Sequence, residues 1–131
     1  MRVHVLRLKP GQDLREALQQ EAILQQWRAA CVVAAVGSFS QAVLRYAAED
    51  AGTELNGPLE LVTLSGTFEM GGMHLHASVS DARGEVRGGH LMPGCIVRTT
   101  AEVVIGLLEE WEFSRPVDEA TGYRELLATR R

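Results

Sequence analysis

The sequence predicts an α+β fold, in which one main helix packs on a curved, mostly antiparallel sheet. Only one segment, between residues 13 and 26, carries the spacing of an amphipathic helix. The rest divides into alternating or β-branched runs separated by Gly, Pro, Asn and Asp, which is typical of strands joined by short loops. A length of 131 residues suits one domain with a real core, so we assign residues 1–131 to a single domain.

The N-terminal part predicts one strand followed by the helix. Residues Arg2 to Leu8 alternate in polarity and end at Lys9-Pro10-Gly11, as a first strand would. Asp13-Leu14-Arg15-Glu16 resembles a capping box with Asp as the cap, and it opens a helix that we expect to run to about Gln26. The face that we expect to lie on the sheet consists of Leu14, Ala17, Leu18 and Leu24.

The remainder of the chain predicts strands. The run Cys31 to Val36 is continuously apolar, as in a central strand buried on both faces, and we expect Gly37-Ser38 to end it. Further strands are expected at Gln41 to Ala48, Leu59 to Phe68, the histidine hairpin described below, Cys95 to Leu108 and the edge segment from Trp111 to Pro116, with a short closing segment at Tyr123 to Ala128.

Composition excludes several classes of protein. Seventeen acidic residues against thirteen basic ones give a net charge of −4, which argues against a surface built to hold nucleic-acid phosphates. Cys31 and Cys95 sit in apolar runs, where a free thiol packs as a small hydrophobe. No apolar stretch approaches the roughly 20 residues that span a bilayer, and Met1 to Val5 does not resemble a signal peptide. We therefore expect a cytoplasmic protein.

Three of the four histidines fall within seventeen residues. In His74-Leu75-His76-Ala77-Ser78-Val79-Ser80, alternation places both imidazoles on one strand face. Asp81-Ala82-Arg83-Gly84 predicts a turn, and a three-residue loop would set Asp81 opposite Glu85 and His76 opposite His90. Cross-strand neighbours have Cβ atoms roughly 5 Å apart, so the three imidazoles could converge on one point.

Two interpretations of this cluster compete. Polar residues on the open face of a hairpin are commonly just solvated. The third histidine, preceded by Gly88-Gly89, favours a metal site formed by His74, His76 and His90. Imidazoles without thiolates suit Zn²⁺ best and Ni²⁺, Co²⁺ or Cu²⁺ less well, and three protein ligands leave a fourth position for water or a small acid.

Acidic residues are candidates for roles beside the metal. Glu102 lies on an otherwise apolar strand, where it is either exposed to solvent or placed at a boundary between subunits. A functional Glu102 would instead be a fourth metal ligand, a hydrogen-bond partner of a ligating imidazole, or a base. Asp81 and Glu69 are further candidates for a base. Spacing selects none of them, so the sequence assigns no reaction and no catalytic residue.

Several motifs in order resemble a known family. They are Gly37-Ser38-Phe39-Ser40-Gln41-Ala42-Val43-Leu44-Arg45, Gly57-Pro58-Leu59-Glu60-Leu61-Val62-Thr63-Leu64-Ser65-Gly66-Thr67, the histidine strand 74–81, and Gly88-Gly89-His90-Leu91. Together they closely resemble the PPC domain, conserved in plants and prokaryotes, over essentially the whole chain. The resemblance implies the α+β fold above, assembly as a homotrimer, and a histidine metal cluster of the prokaryotic branch.

The resemblance also implies a contact segment for partners. In plants the domain follows an AT-hook and binds partners through a Gly-Arg-Phe-Glu-Ile-Leu segment, which corresponds here to Gly57-Pro58-Leu59-Glu60-Leu61-Val62. Partner-contact candidates are therefore Gly57, Leu59, Glu60, Leu61 and Val62, although Pro58 and Leu59 depart from the plant pattern. No AT-hook is present, which makes direct DNA binding doubtful.

Two functions follow as expectations. The first is a metal-binding homotrimer, with zinc at His74, His76 and His90 and a small-molecule ligand at the open position. The alternative is a non-catalytic protein-interaction or transcription-associated module in which the histidines are incidental. Metal content distinguishes the two.

Overall fold

The computed structural model describes all residues from 1 to 131 and contains one helix and eight strands. The elements are β1 (Arg2–Leu8), α1 (Leu14–Leu24), β2 (Ala30–Arg45), β3 (Thr53–Glu69), β4 (Gly72–Ser80), β5 (Val86–Leu91), β6 (Ile96–Leu107), β7 (Trp111–Ser114) and β8 (Leu127–Arg130). All strand pairings are antiparallel. The predicted α+β fold with one main helix is confirmed.

Six strands form the main sheet in the order β1-β6-β2-β3-β4-β5, and β7 and β8 form a separate pair. The sheet curves so strongly that the end of β2 also pairs with β5, through Leu44 opposite Leu91 and Arg45 opposite His90. Strands β2 to β5 therefore close on one another at this end of the sheet. This closure brings β2 next to the strand that carries His90.

Helix α1 lies against the inner, concave face of the sheet. Asp13 caps its N-terminus by accepting a hydrogen bond from the backbone N–H of Glu16 at 3.1 Å, as the sequence predicts. The helix ends at Leu24, two residues earlier than expected, and Gln26 adopts a left-handed conformation with φ of 55°. Its buried residues are Leu14, Leu18 and Ala22, whereas Leu24 is 75% exposed, so its predicted burial is wrong.

Strand β2 is continuous through Gly37-Ser38, where the sequence predicts a break. Irregularities in its pairing with β6 follow Val32 and Gly37, and they absorb the change in local geometry without ending the strand. A Cβ at Gly37 would lie 2.5 Å from the carbonyl oxygen of Thr100, so glycine permits the close approach of β6. The glycine shapes this strand and does not end it.

The predicted burial of β2 on both faces is also wrong for a single chain. Val33 and Val36 are 50% and 55% exposed on the outer face, the convex face opposite α1. Strand β1, which is separated from β2 by β6, exposes Val3 and Val5 on the same face, with Val5 paired to Val104 and Val104 paired to Ala34. We call Val3, Val5, Val33, Val36 and Val104 the outer valine patch.

The chain contains no helix with the length and apolar character needed to cross a membrane.

Candidate metal centre

Strand β4 places two histidines side by side on the outer face of the sheet. Leu75, Ala77 and Val79 are buried in the core, and this anchors the inner face of the strand. Since side chains alternate along a strand, His74 and His76 must point outward, and both are exposed. The orientation of the two imidazoles thus follows from the burial of their neighbours.

The β4–β5 hairpin supplies the third histidine in the predicted register. His76 pairs directly with His90, and the carboxylate of Asp81 accepts hydrogen bonds from the backbone N–H groups of Arg83 and Glu85 in the turn. On the other side of β5, a Cβ at Gly89 would lie 2.7 Å from the carbonyl oxygen of Arg45. Gly89 therefore lets β5 approach β2 while His90 faces the other histidines.

The three imidazoles form a compact group. One ring nitrogen from each lies within 4.8 Å of the others. The ring centroids are separated by 5.0 Å for His74 and His76, 5.3 Å for His74 and His90, and 4.6 Å for His76 and His90. Nitrogens that share a tetrahedral zinc ion at about 2.1 Å lie about 3.4 Å apart, so small side-chain rotations would suffice to bind one ion.

The electrostatic surroundings keep two of these imidazoles neutral at neutral pH. Partial burial lowers the pKa of His74 below its ordinary value of 6.5; His76 and Arg115 lower it further, and Glu125 opposes them. Burial also lowers the pKa of His90, and the positive charge of Arg45 is the next cause. Neutral imidazole offers a lone pair to a metal, so the donor set fits a cation such as Zn²⁺.

A buried ion pair lies in the same cleft as the histidines. Glu69 is 5% exposed, and its Oε2 atom lies 3.3 Å from Nη2 of Arg115. The same Nη2 donates hydrogen bonds to the carbonyl oxygen and the hydroxyl of Thr67, at 3.1 and 3.2 Å. Thr67 is paired with His74 across β3 and β4, so Arg115 connects the segment after β7 to the histidine strands.

Burial is the main influence on Glu69 and raises its pKa, against the opposing charge of Arg115. Glu69 Oε2 and Arg115 Nε lack hydrogen-bond partners, although both atoms are buried. The pair is thus held at a desolvation cost that its own contacts only partly offset.

The other candidates lie away from the three imidazoles. Glu102 is on β6, opposite Arg7 and Val36, and both β2 and β3 lie between β6 and the histidine strand β4. Three steps of about 4.8 Å along the sheet separate β6 from β4. Glu102 pairs with Val36, which precedes Arg45, the partner of His90, by nine residues along β2, so the fold of one chain does not bring Glu102 to the histidines. The carboxylate of Asp81 accepts the two backbone hydrogen bonds of the hairpin turn and does not join the three imidazoles.

The partner-contact candidates divide between the core and the surface. Leu59 and Leu61 are buried in the core of this chain, at 5% and 2% exposure. Glu60 and Val62 are exposed, and Gly57 is partly buried. Only the exposed pair offers substantial side-chain surface to another molecule.

Sequence reasoning missed three residues near the site: Arg45, Arg115 and Glu125. Arg45 reaches it because β2 pairs with β5, and the other two because the segment after β7 lies over the cleft. Neither arrangement leaves a periodic signal in the sequence.

The chain is similar to a known domain family, to curated proteins and to solved structures. Residues 1–109 match the family model of the Plants and Prokaryotes Conserved (PCC) domain. The chain is 48% identical over 126 residues to the bifunctional protein GlmU of Synechococcus sp.; the match covers 96% of this chain and 20% of that protein. The chain therefore spans about a fifth of the length of this curated relative.

Two solved structures are similar over nearly the whole chain. A hypothetical protein from Salmonella is 45% identical, with a TM-score of 0.97 and coverage of 99% of this chain and 94% of that one. A protein from Archaeoglobus fulgidus described as metal-containing is 29% identical, with a TM-score of 0.79 and coverage of 97% and 94%.

Proposed function

We propose that this chain, which belongs to the Plants and Prokaryotes Conserved (PCC) domain family, is a homotrimeric metal-binding protein that holds one zinc ion per chain on His74, His76 and His90. The observation that carries the proposal is the convergence of one nitrogen from each imidazole within 4.8 Å. The metal-containing relative from Archaeoglobus fulgidus supports a metal, and the all-imidazole donor set favours zinc. When bound by three protein ligands, zinc acts as a Lewis acid with one open coordination position.

Metal analysis tests this proposal directly. Protein purified without a nickel column should contain about one equivalent of zinc per chain, and a His76→Ala variant should contain less than about a tenth, because a site with two remaining ligands binds far more weakly. His4→Ala is the matched control, since His4 lies on β1 against Trp27 and Glu21, away from the cluster. A wild-type protein below about a tenth of an equivalent would contradict the metal site.

The outer valine patch supports an interface between copies of this chain. Val3 and Val5 of β1 and Val33 and Val36 of β2 are between 49% and 65% exposed, and Val104 of β6 lies between the two strands. A contiguous apolar surface of this kind is typical of a protein–protein interface. Glu102 and Arg7 lie opposite one another within the same region, as a polar pair that a second copy would cover.

The assembly has its own test. Light scattering coupled to size exclusion should give three times the mass of one chain for the wild type and a smaller mass for Val36→Asp, since a carboxylate would be desolvated in the interface. Val86→Asp is the control, because Val86 is equally apolar and 60% exposed but lies on β5, outside the patch. A monomeric wild type would contradict the proposed assembly.

A further inference from the structure

An open cleft of about 1190 Å³ adjoins the three histidines. His74 and His90 form part of its wall, together with Arg45, Arg115, Tyr123 and Glu125. Ligand pockets commonly enclose about 300–1,000 Å³, so a small organic molecule could enter this cleft and still reach the metal position. The cleft is thus large enough for more than a bound water.

The charged side chains of the cleft determine which class of small molecule it can bind. Arg115 is matched by the buried carboxylate of Glu69, so this pair adds little net charge. Arg45 forms no ion pair, and the only hydrogen bond of its side chain is from Nη1 to the backbone carbonyl of Glu49 at 3.1 Å. Its remaining guanidinium donors are free to bind a ligand.

Arg45 is held close to the metal position by the backbone. It is the last residue of β2 and pairs directly with His90 of β5, and both residues line the cleft. The three histidines contribute no negative charge to a bound dication. The wall of the cleft carries equal numbers of cations and carboxylates, namely Arg15, Arg28, Arg45, Arg115 and Arg124 against Glu49, Asp50, Glu69, Glu112 and Glu125, so a bound dication would leave the site with a net positive charge.

The geometry points to a binding site for a small organic anion, a carboxylate or a phosphate-type group, which binds the open position of the metal and is held by the guanidinium of Arg45. This inference rests on the proposed metal site and adds the class of ligand. Arg binds both groups well because its planar donors match two of their oxygens at once. The anion would supply the negative charge that the protein ligands lack.

Cobalt-loaded protein provides a spectroscopic test that needs no known activity. We would titrate it with benzoate and with phenylphosphonate, which each carry one anionic group, and with neutral benzamide as the control ligand. The visible cobalt spectrum should change saturably with at least one anion and stay constant with benzamide. No response to either anion, or an equal response to benzamide, would overturn the inference.

Two variants isolate Arg45. Arg45→Gln should bind the responding anion about tenfold more weakly while cobalt stoichiometry stays the same, and Arg45→Lys should show a smaller loss because it keeps the charge without the planar donors. Arg83→Gln, in the exposed hairpin turn, is the matched control and should bind as the wild type does. Unchanged affinity in Arg45→Gln would overturn the assigned role. A wild type that takes up no cobalt would overturn the metal site as well, which distinguishes the two failures.

Discussion

Replacing Arg115 by Met should destabilise the protein strongly at neutral pH. The substitution keeps a flexible side chain but removes the cation that lies 3.3 Å from the Glu69 carboxylate and donates two hydrogen bonds to Thr67. Because the side chain of Glu69 is only 7% exposed, its carboxylate would stay buried without a counter-charge. Loss of one partner from a buried ion pair costs about 3–5 kcal/mol of unfolding free energy.

The pH dependence identifies the cause of that loss. Burial raises the pKa of Glu69 in the folded state above its ordinary value of 4.5, so the folded state binds a proton more readily than the unfolded state. Stability therefore falls as pH rises from the unfolded pKa through the folded one. Removal of Arg115 would raise the folded pKa further, so the deficit of Arg115→Met should be larger at pH 7 than at pH 5 and should shrink as pH falls toward 4.5.

Urea denaturation at fixed protein concentration, at pH 7 and at pH 5, measures both effects. The double variant Glu69→Gln with Arg115→Met is the matched control, because it removes the buried charge together with its partner and should recover most of the lost stability. The reasoning would be refuted if Arg115→Met unfolded within about 1 kcal/mol of the wild type, or if the double variant were no more stable than the single one.

Two further predictions concern the inner face of the sheet. Asp13→Ala should lower the unfolding free energy by about 1–2 kcal/mol in urea denaturation. The reason is that Asp13 caps α1 and also accepts a hydrogen bond from the backbone N–H of Gly94 at 2.7 Å. Asp118→Ala, in an exposed turn, is the control and should have little effect. Burial raises the pKa of the Cys95 thiol to about 11, so the unfolded thiol ionises first and stability should fall as pH rises from about 9 to 11, by about 2–3 kcal/mol. Cys95→Ala should lack that part of the slope in unfolding experiments across this range, and an identical slope would contradict the assignment.

The histidine hairpin was predictable because local rules determine its geometry. Alternation places His74 and His76 on one face, and the length of the turn fixes the partner of His76. Both rules act over seventeen residues and do not depend on the rest of the fold. The sequence therefore predicted the register of His76 and His90 correctly.

The surroundings of the hairpin depend on contacts between distant segments. Arg45 reaches His90 only because the sheet curves enough for β2 to pair with β5. Arg115 reaches Thr67 across 48 residues, from a segment with no periodic pattern. Apolar Val33 and Val36 suggested a strand buried on both faces, and the single chain leaves their side exposed, because an apolar run does not reveal which of its faces packs within the chain.

The proposed ligand site is a composite of two parts of the chain. The region that matches the family model ends at residue 109 and contains all three histidines and Arg45. Arg115, Tyr123 and Glu125 follow it and complete the wall of the cleft. Since Glu125 and Arg115 act on His74 with opposite charges, substitutions in this later segment would change the electrostatics of the site without altering a histidine. We therefore expect the conserved domain to determine whether a metal binds, and the segment after residue 109 to influence which anion accompanies it.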